Sequence, residues 1–381
     1  MKIIKLDSQV DCDLILKKIG STKAGIKIMR DKMQTNLFYL KDIKTPAANI
    51  LKQDALSIGA DLAVEKDTIL YKDETIDALL IATDKQIKIL SRKELAQPFG
   101  LKGLAMELKR YANVNKYKTE IMGILNANED SFYEGSRFSG LSAVSRIEQM
   151  IEEGADIVDI GAVSSRPGSD AVDAKEELER ITPIIDAIYK QKLHDRVVLS
   201  LDSYQPLVIE YALDRGFKIV NDITGLSDDK VAKLVAKYEA RVVIMHMQGS
   251  PQDMQKNPLY ENVLLEVEAF FKQKVQKAHD FGIKDIVLDI GVGFGKTLSH
   301  NLQLIKHLSH FKKLEFPLLV GASRKSMIDA ISPSSADERL AGTLALHLKA
   351  LDEGASIIRC HDVKEHKQAF EVREKLRETL I

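Results

Sequence analysis

Residues 197–222 read VVLSLDSYQPLVIEYALDRGFKIVND. Two short apolar runs, Val197–Leu201 and Phe217–Val220, flank a stretch of helix length. Each run stops at a polar group: Asp202 after the first, Asn221 and Asp222 after the second. The same unit recurs on both sides, with apolar runs at Thr119–Leu125, Ala155–Ile160, Arg241–Met245, Asp285–Leu288, Pro317–Val320 and Ser356–Cys360. Continuous rather than alternating apolar runs suit parallel strands covered on both faces. The connecting stretches, such as Glu176–Lys190, Glu261–Phe281 and Asp337–Asp352, are amphipathic and charge-rich. Eight strand–helix units predict an α/β fold, a (β/α)8 TIM barrel over residues 116–381, with a doubly wound sheet as the alternative.

Before residue 116 the rhythm is absent. Runs at Met1–Leu6, Ile26–Arg30, Asn36–Leu40, Ala78–Thr83 and Gln86–Leu90 read as strands. Pro46 opens a helix, and Glu94–Tyr111 reads as another, broken near Pro98 and Gly100. Residues 1–115 are therefore expected to form a small α+β domain, and they show no catalytic constellation.

Composition bounds the function. The 381 residues carry 55 Lys and Arg against 56 Asp and Glu, a net charge of -1, which removes the electrostatic footprint of a nucleic-acid binder. Residues 1–115 hold 20 basic and 15 acidic side chains, too small an excess to imply a polyanionic partner. Two cysteines, Cys12 and Cys360, exclude a disulfide framework and a four-cysteine zinc site. The start of the chain resembles no signal peptide, and no apolar run is long enough to span a bilayer, so a cytoplasmic protein with no membrane partner is expected.

A barrel places its active site at the C-terminal ends of its strands. The residues there are Asn126, Gly161 leading to Arg166, Asp202, Asn221-Asp222, His246, Asp289, Ser323-Arg324-Lys325, and Arg359-Cys360-His361. A single such residue is most simply a cap or turn former; eight in register are not. The cations Arg166, Arg324, Lys325 and Arg359 suit an anionic substrate. Asp202, Asp222 and Asp289 can accept paired hydrogen bonds from an aminopyrimidine edge or help to hold a metal. Together they suggest a donor-rich heterocycle bearing an acidic group. The stretch 291–297, GVGFGKT, matches neither a Walker loop, whose first glycine would fall at Ile290, nor a dinucleotide fingerprint, which needs glycine at Lys296. Its glycines predict close approach of backbone to a ligand. Cys360 reads as core, and His307 and His310 as solvated residues of a polar helix.

The ordered set of motifs resembles the dihydropteroate synthase family. It runs Gly123–Asn126 with Asp130-Ser131-Phe132, Gly154–Gly161 with Ser165-Arg166-Pro167-Gly168, then Asp202-Ser203-Tyr204, Val220–Asp222 and Met245–Gly249. Asp289 with Gly291–Lys296, Ser323–Lys325 and Arg359–Val363 complete it. The match covers about residues 116–365. It departs from the family at Ala127–Glu129, Ala162–Ser164 and Ile290. The resemblance implies a transferase of folate biosynthesis, a sulfonamide target, that joins 6-hydroxymethyl-7,8-dihydropterin diphosphate to p-aminobenzoate and releases pyrophosphate with Mg2+. It implies pterin binding by Asp202, Asn221, Asp289 and Lys325. Arg359 would stack on the pterin and, with Asn126 and His361, contact the diphosphate and metal. A p-aminobenzoate pocket would come from Ser165, Arg166, Pro167, Phe294 and Ser323, with Phe132 on a closing loop. Asp202, Lys325 and Arg359 would carry the catalysis, and a homodimer packed through barrel helices is implied. The competing readings are a non-catalytic pterin-binding paralogue and a methyltetrahydrofolate-type methyltransferase, which should lack the Ser165–Gly168 and Ser323–Lys325 motifs.

Overall fold

The computed structural model describes residues 2–7, 10–112, 115, 117–126, 136–163, 172–250 and 252–380, with side chains from residue 140 in the helix that begins at 136. The chain divides into two compact units, Met1–Val114 with Val372–Ile381, and Asn115–Glu371.

The smaller unit contains α1 (Cys12–Lys18), α2 (Lys23–Arg30), β1 (Thr35–Lys44), α3 (Thr45–Leu56), β2 (Asp61–Val64), β3 (Thr75–Thr83), α4 (Asp84–Lys93) and α5 (Leu101–Tyr111). Its antiparallel sheet has the order β1-β3-β2. The alternate residues Ile76, Ala78, Leu80 and Ala82 of β3 are buried, and the last three pack with Leu51, Leu90 and Leu108 from α3, α4 and α5. Three sequence expectations fail here. Met1–Leu6 forms no strand over its described residues, and Ile26–Arg30 and Gln86–Leu90 are helical. Thr83 explains the last: it caps α4 through a reciprocal pair with Gln86, a strong helix start that the apolar count overlooked. Pro46 opens α3 as expected, and the break near Pro98 separates a 3-10 turn at Glu94–Ala96 from α5.

The larger unit is a closed barrel of eight parallel strands: β4 (Glu120–Asn126), β5 (Ile157–Gly161), β6 (Val198–Asp202), β7 (Ile219–Asp222), β8 (Arg241–Met245), β9 (Ile286–Asp289), β10 (Leu318–Val320) and β11 (Ile357–Cys360). Closure through β11 and β4 removes the doubly wound alternative. Around the strands run α6 (Ser136–Glu153), α7 (Ala174–Lys190), α8 (Pro206–Leu213), α9 (Asp229–Lys237), α10 (Val263–Asp280), α11 (Leu298–Lys306), α12 (Ser326–Ile331), α13 (Leu340–Asp352) and, up to Glu371, α14 (Val363–Glu378). Outward strand residues such as Val158, Leu199, Val220, Ile244 and Ile358 bury against these helices. Met122, Ile157, Ile219, Val243, Val287, Leu319 and Ile357 form a separate apolar cluster inside the barrel. That plug closes the lower barrel, and because strand side chains alternate, the next inward residues lie two positions further along each strand.

Candidate active site

Two residues beyond the apolar plug the barrel interior turns polar. Ile157 is followed by Asp159, Ile219 by Asn221, Val287 by Asp289 and Ile357 by Arg359, while β6 contributes Ser200 and Asp202. The period of two that carries apolar side chains inward at one height carries charge inward at the next. Glycine occupies two places at the rim: a Cβ on Gly161 would lie 3.3 Å from the Asp202 Cβ, and one on Gly321 3.6 Å from the Arg359 Cβ. Small residues there leave room above the charged layer.

Asp159, fully buried, is the hub of that layer. Ser200 Oγ donates to its Oδ1 at 2.5 Å, and Asn221 Nδ2 (3.0 Å) and Arg359 Nε (2.6 Å) donate to its Oδ2. Arg359 Nη2 reaches Asp202 Oδ2 at 2.7 Å. The guanidinium is thus held between two carboxylates from different strands. Burial works against its charge, but Asp159 and Asp202 more than offset this and hold its pKa above the usual value. Burial pushes the Asp202 carboxyl up to about 7, with Arg359 pulling it back. Holding Asn221 by its amide nitrogen turns Oδ1 the other way, and among the described residues that buried oxygen has no hydrogen-bond partner. A buried acceptor without a donor is costly unless a ligand supplies one.

On the opposite wall Asp289 Oδ1 accepts from Gly291 N–H at 2.8 Å. Burial raises this carboxyl, against the pull of Lys325, whose own pKa burial lowers to about 8. Lys325 Nζ donates to the Val292 carbonyl and lies 4.6 Å from the centre of the Phe294 ring. Ser323 Oγ lies 2.9 Å from His361 Nδ1 and accepts from His361 N–H at 3.3 Å. Asn126 ends β4, half-buried and opposite Gly161. The structure therefore brings Asn126, Asp202, Asn221, Asp289, Phe294, Ser323, Lys325, Arg359 and His361 to one barrel end. Phe132, Ser165, Arg166 and Pro167 lie outside the described residues.

Several residues have other work. Arg324 is spent on Asp362, with Nε at 3.1 Å and Nη2 at 2.6 Å, and on Asp337, so it is a strut rather than an anion clamp. Asp222 caps its own turn, accepting from Thr224 and Leu226. The glycines of 291–295 do permit close approach, but to a neighbouring loop rather than a ligand. A Cβ on Gly291 would meet the His246 carbonyl at 1.9 Å, and one on Gly295 the Gln248 carbonyl at 2.2 Å. Lys296 ties the same two loops, its ammonium donating to the carbonyls of His246, Gly291 and Phe294 at 3.1, 2.9 and 2.9 Å. His310 is not solvated: its Nε2 sits 2.7 Å from the buried Glu268. Cys360 is fully buried, its thiol pKa pushed up by burial, as a core residue. Asp159 and Lys296 were not singled out from sequence. An acid in the middle of an apolar strand was the available signal for Asp159; nothing comparable marked Lys296.

Residues 122–361 match the model of the pterin binding enzyme family. The bifunctional dihydropteroate synthase/dihydropteroate reductase of Helicobacter pylori is 44% identical over 365 residues, covering 96% of each chain. The dihydropteroate synthase of Yersinia pestis, solved with a sulfonamide drug complex, superposes with a TM-score of 0.64 at 37% identity and covers 69% of this chain and 95% of that one. The Xanthomonas albilineans dihydropteroate synthase, solved with 4-aminobenzoic acid, gives 0.64 at 35% identity over 69% and 94%.

Proposed function

The chain belongs to the pterin-binding enzyme family, and on that premise we infer that it is a transferase with dihydropteroate synthase activity. It condenses 6-hydroxymethyl-7,8-dihydropterin diphosphate with p-aminobenzoate, giving 7,8-dihydropteroate and pyrophosphate. The observation that best supports this is the buried Asn221 Oδ1, which has no partner among the described residues and stands on the same inward tier of the barrel as Asp202 and Asp289. Together they offer buried acceptors to the N–H-rich edge of an aminopyrimidine. The paralogue and methyltransferase readings receive no support from the relatives that match.

In the mechanism we propose, Asp202, Asn221, Asp289 and Lys325 orient the pterin, and Arg359 lies against its ring. The bond between the exocyclic methylene carbon and the diphosphate oxygen breaks, and the electron pair leaves with pyrophosphate. Positive charge spreads from the methylene into the pterin, where ionised Asp202 stabilises it. The aryl amine, held by Phe294, Ser323, Ser165, Arg166 and Pro167, forms the new carbon–nitrogen bond, and its proton passes to the released pyrophosphate or to solvent. Exclusion of water, to which the resemblance assigns Phe132, keeps it from capturing the cation.

Among the described residues no group of three or more His, Cys, Asp or Glu side chains could hold a metal ion. The hard oxygen donor at the diphosphate end is Asn126. One neutral donor fits a Mg2+ that enters on the substrate's phosphates, as this cation commonly does. When bound, it neutralises charge on the leaving pyrophosphate.

We also propose a homodimer. The stretch Leu340–Leu348 of α13 has no Asp, Glu, Lys or Arg, and besides its buried face it turns Ala341, Leu344, Ala345 and Leu348 outward, exposed or half-buried. A helix apolar on both faces is usually covered on both. Among the described residues no helix is long and apolar enough to cross a membrane, and a cytoplasmic location is proposed.

The test is turnover: purified chain, Mg2+, dihydropterin diphosphate and p-aminobenzoate should yield dihydropteroate by mass spectrometry. Pterin bound tightly without product would favour the drifted paralogue. A second activity has one observation behind it. The Helicobacter relative, which matches 96% of this chain, is named for a reductase as well, although a Halobacterium relative that covers 98% is named without one. Reduction of dihydropteroate adds hydride to a carbon and a proton to the adjoining ring nitrogen, so a two-electron donor is needed. Incubation of the chain with dihydropteroate and reduced nicotinamide or reduced flavin should give tetrahydropteroate, and no product with either donor would rule this second activity out.

A further inference from the structure

Arg324 adopts a left-handed backbone conformation, φ 55°, between Ser323 and Lys325. A non-glycine residue persists there only when its surroundings over-determine it. The surroundings are one face of α13 and the residue before it. Arg339 Nη1 donates to the Arg324 carbonyl at 3.1 Å, and Thr343 Oγ1 accepts from Arg324 N–H at 3.0 Å. His347 Nε2 accepts from Ala322 N–H at 2.9 Å. These anchors are spaced by four residues, one turn apart on the same side of the helix.

His347 carries the connection further. Its Nδ1 lies 2.8 Å from His366 Nε2 on α14, and His366 Nδ1 lies 2.6 Å from the Asp362 carbonyl. The protons on this chain follow from its ends. A backbone N–H can only donate, so His347 Nε2 is bare and its proton is on Nδ1. That proton points at His366, whose Nε2 must then be bare and whose Nδ1–H donates to the carbonyl, which can only accept. Both imidazoles are fully buried. Lys325, His361 and His366 face His347, and Asp362 and Glu365 face His366. A second proton on either ring would set N–H against N–H.

We propose that Arg339, Thr343, His347 and His366 are positioning residues of the active site, forming a frame that holds Ser323 and Lys325 in register with Arg359 and His361. It rests on the reading that these four line the substrate pocket. The frame reaches both loops: one end grips the 322–324 backbone, the other the Asp362 carbonyl next to His361. The Arg324–Asp362 pair ties them a second time.

Two measurements test the frame. Thr343→Val keeps the shape and removes the acceptor, whereas Thr343→Ser keeps it. With a secondary structure and oligomeric state like the wild type, Thr343→Val should lose about tenfold to a hundredfold in kcat/KM for pterin diphosphate, and Thr343→Ser should recover most of it. Valine and serine variants both matching the wild type would overturn the frame, as would equal loss in both. The second measurement needs no variant. Nitrogen-15 NMR of the wild-type histidines should show two buried imidazoles in the Nδ1–H form that do not titrate between pH 5 and 9; an Nε2–H form or ordinary titration at either would overturn it. Inactivity of the wild type would instead count against the synthase reading.

Discussion

Asp159→Asn changes one oxygen for nitrogen at the hub of the site, and its effect can be worked from three distances. The carboxylate takes Ser200 at 2.5 Å on one oxygen, and Asn221 at 3.0 Å and Arg359 at 2.6 Å on the other. An asparagine can keep its carbonyl towards Arg359 and Asn221 and turn its amide to the Ser200 oxygen, so the geometry survives while the charge goes. What is lost is the charge assistance to Arg359, in a side chain with no solvent exposure to compensate. A hydrogen bond to a charged group contributes about 1.5–3 kcal/mol, equivalent to roughly tenfold to a hundredfold in an equilibrium. Because Arg359 and Asn221 both face the proposed pterin site, the loss should appear in kcat/KM for dihydropterin diphosphate, with KM for p-aminobenzoate changed by less than about threefold. Initial rates of pyrophosphate release against each substrate in turn, on variant confirmed folded by circular dichroism, give the numbers. Wild-type kinetics for the pterin, or an equal penalty on both substrates, would refute Asp159 as the support of a pterin subsite.

Other expectations follow from neighbouring contacts. Gly295→Ala places a methyl against the Gln248 carbonyl on a backbone at φ 63° and should cost about 2–4 kcal/mol, read as a lowered Tm. Lys296→Met leaves three carbonyls without their ammonium, and urea unfolding should show a loss of at least about 3 kcal/mol. In the smaller unit Glu94, buried beside Asp54, has its carboxyl pKa raised to about 7 by desolvation. The folded state therefore holds a proton that the unfolded chain releases near its ordinary value. The stability this gives is full below about pH 4.5 and is lost as pH rises through 7. Glu94→Gln should accordingly gain on the wild type between pH 5 and 8, by about 1–2 kcal/mol once solvent screening is allowed for; a Tm difference that does not change with pH would contradict this.

The eight barrel strands were legible because each is buried on both faces and so reads as an unbroken apolar run between amphipathic helices. The same property hid the chemistry inside them. Asp159 stands in IVDIG and passes as an interruption, yet it is the inward residue one pleat above Ile157. The strand-end residues were visible as a set because eight fell in register, but their division of labour was not. Arg324 and Lys325 are adjacent in sequence, and only the left-handed turn at Arg324 sends one side chain to Asp362 and the other into the site. In the smaller unit β2 and β3 pair across a connection whose apolar run, Ile69-Leu70-Tyr71, is exposed, and α2 turns no residue fully inward, so periodicity had little to work on.

The most direct measurement is a crystal structure of the chain with dihydropterin diphosphate bound. The account expects the aminopyrimidine edge within hydrogen-bond distance of Asp202, Asn221 Oδ1 and Asp289, with the Arg359–Asp159 pair intact beneath the ring. A pterin seated elsewhere, or one that leaves Asn221 Oδ1 without a donor, would contradict it.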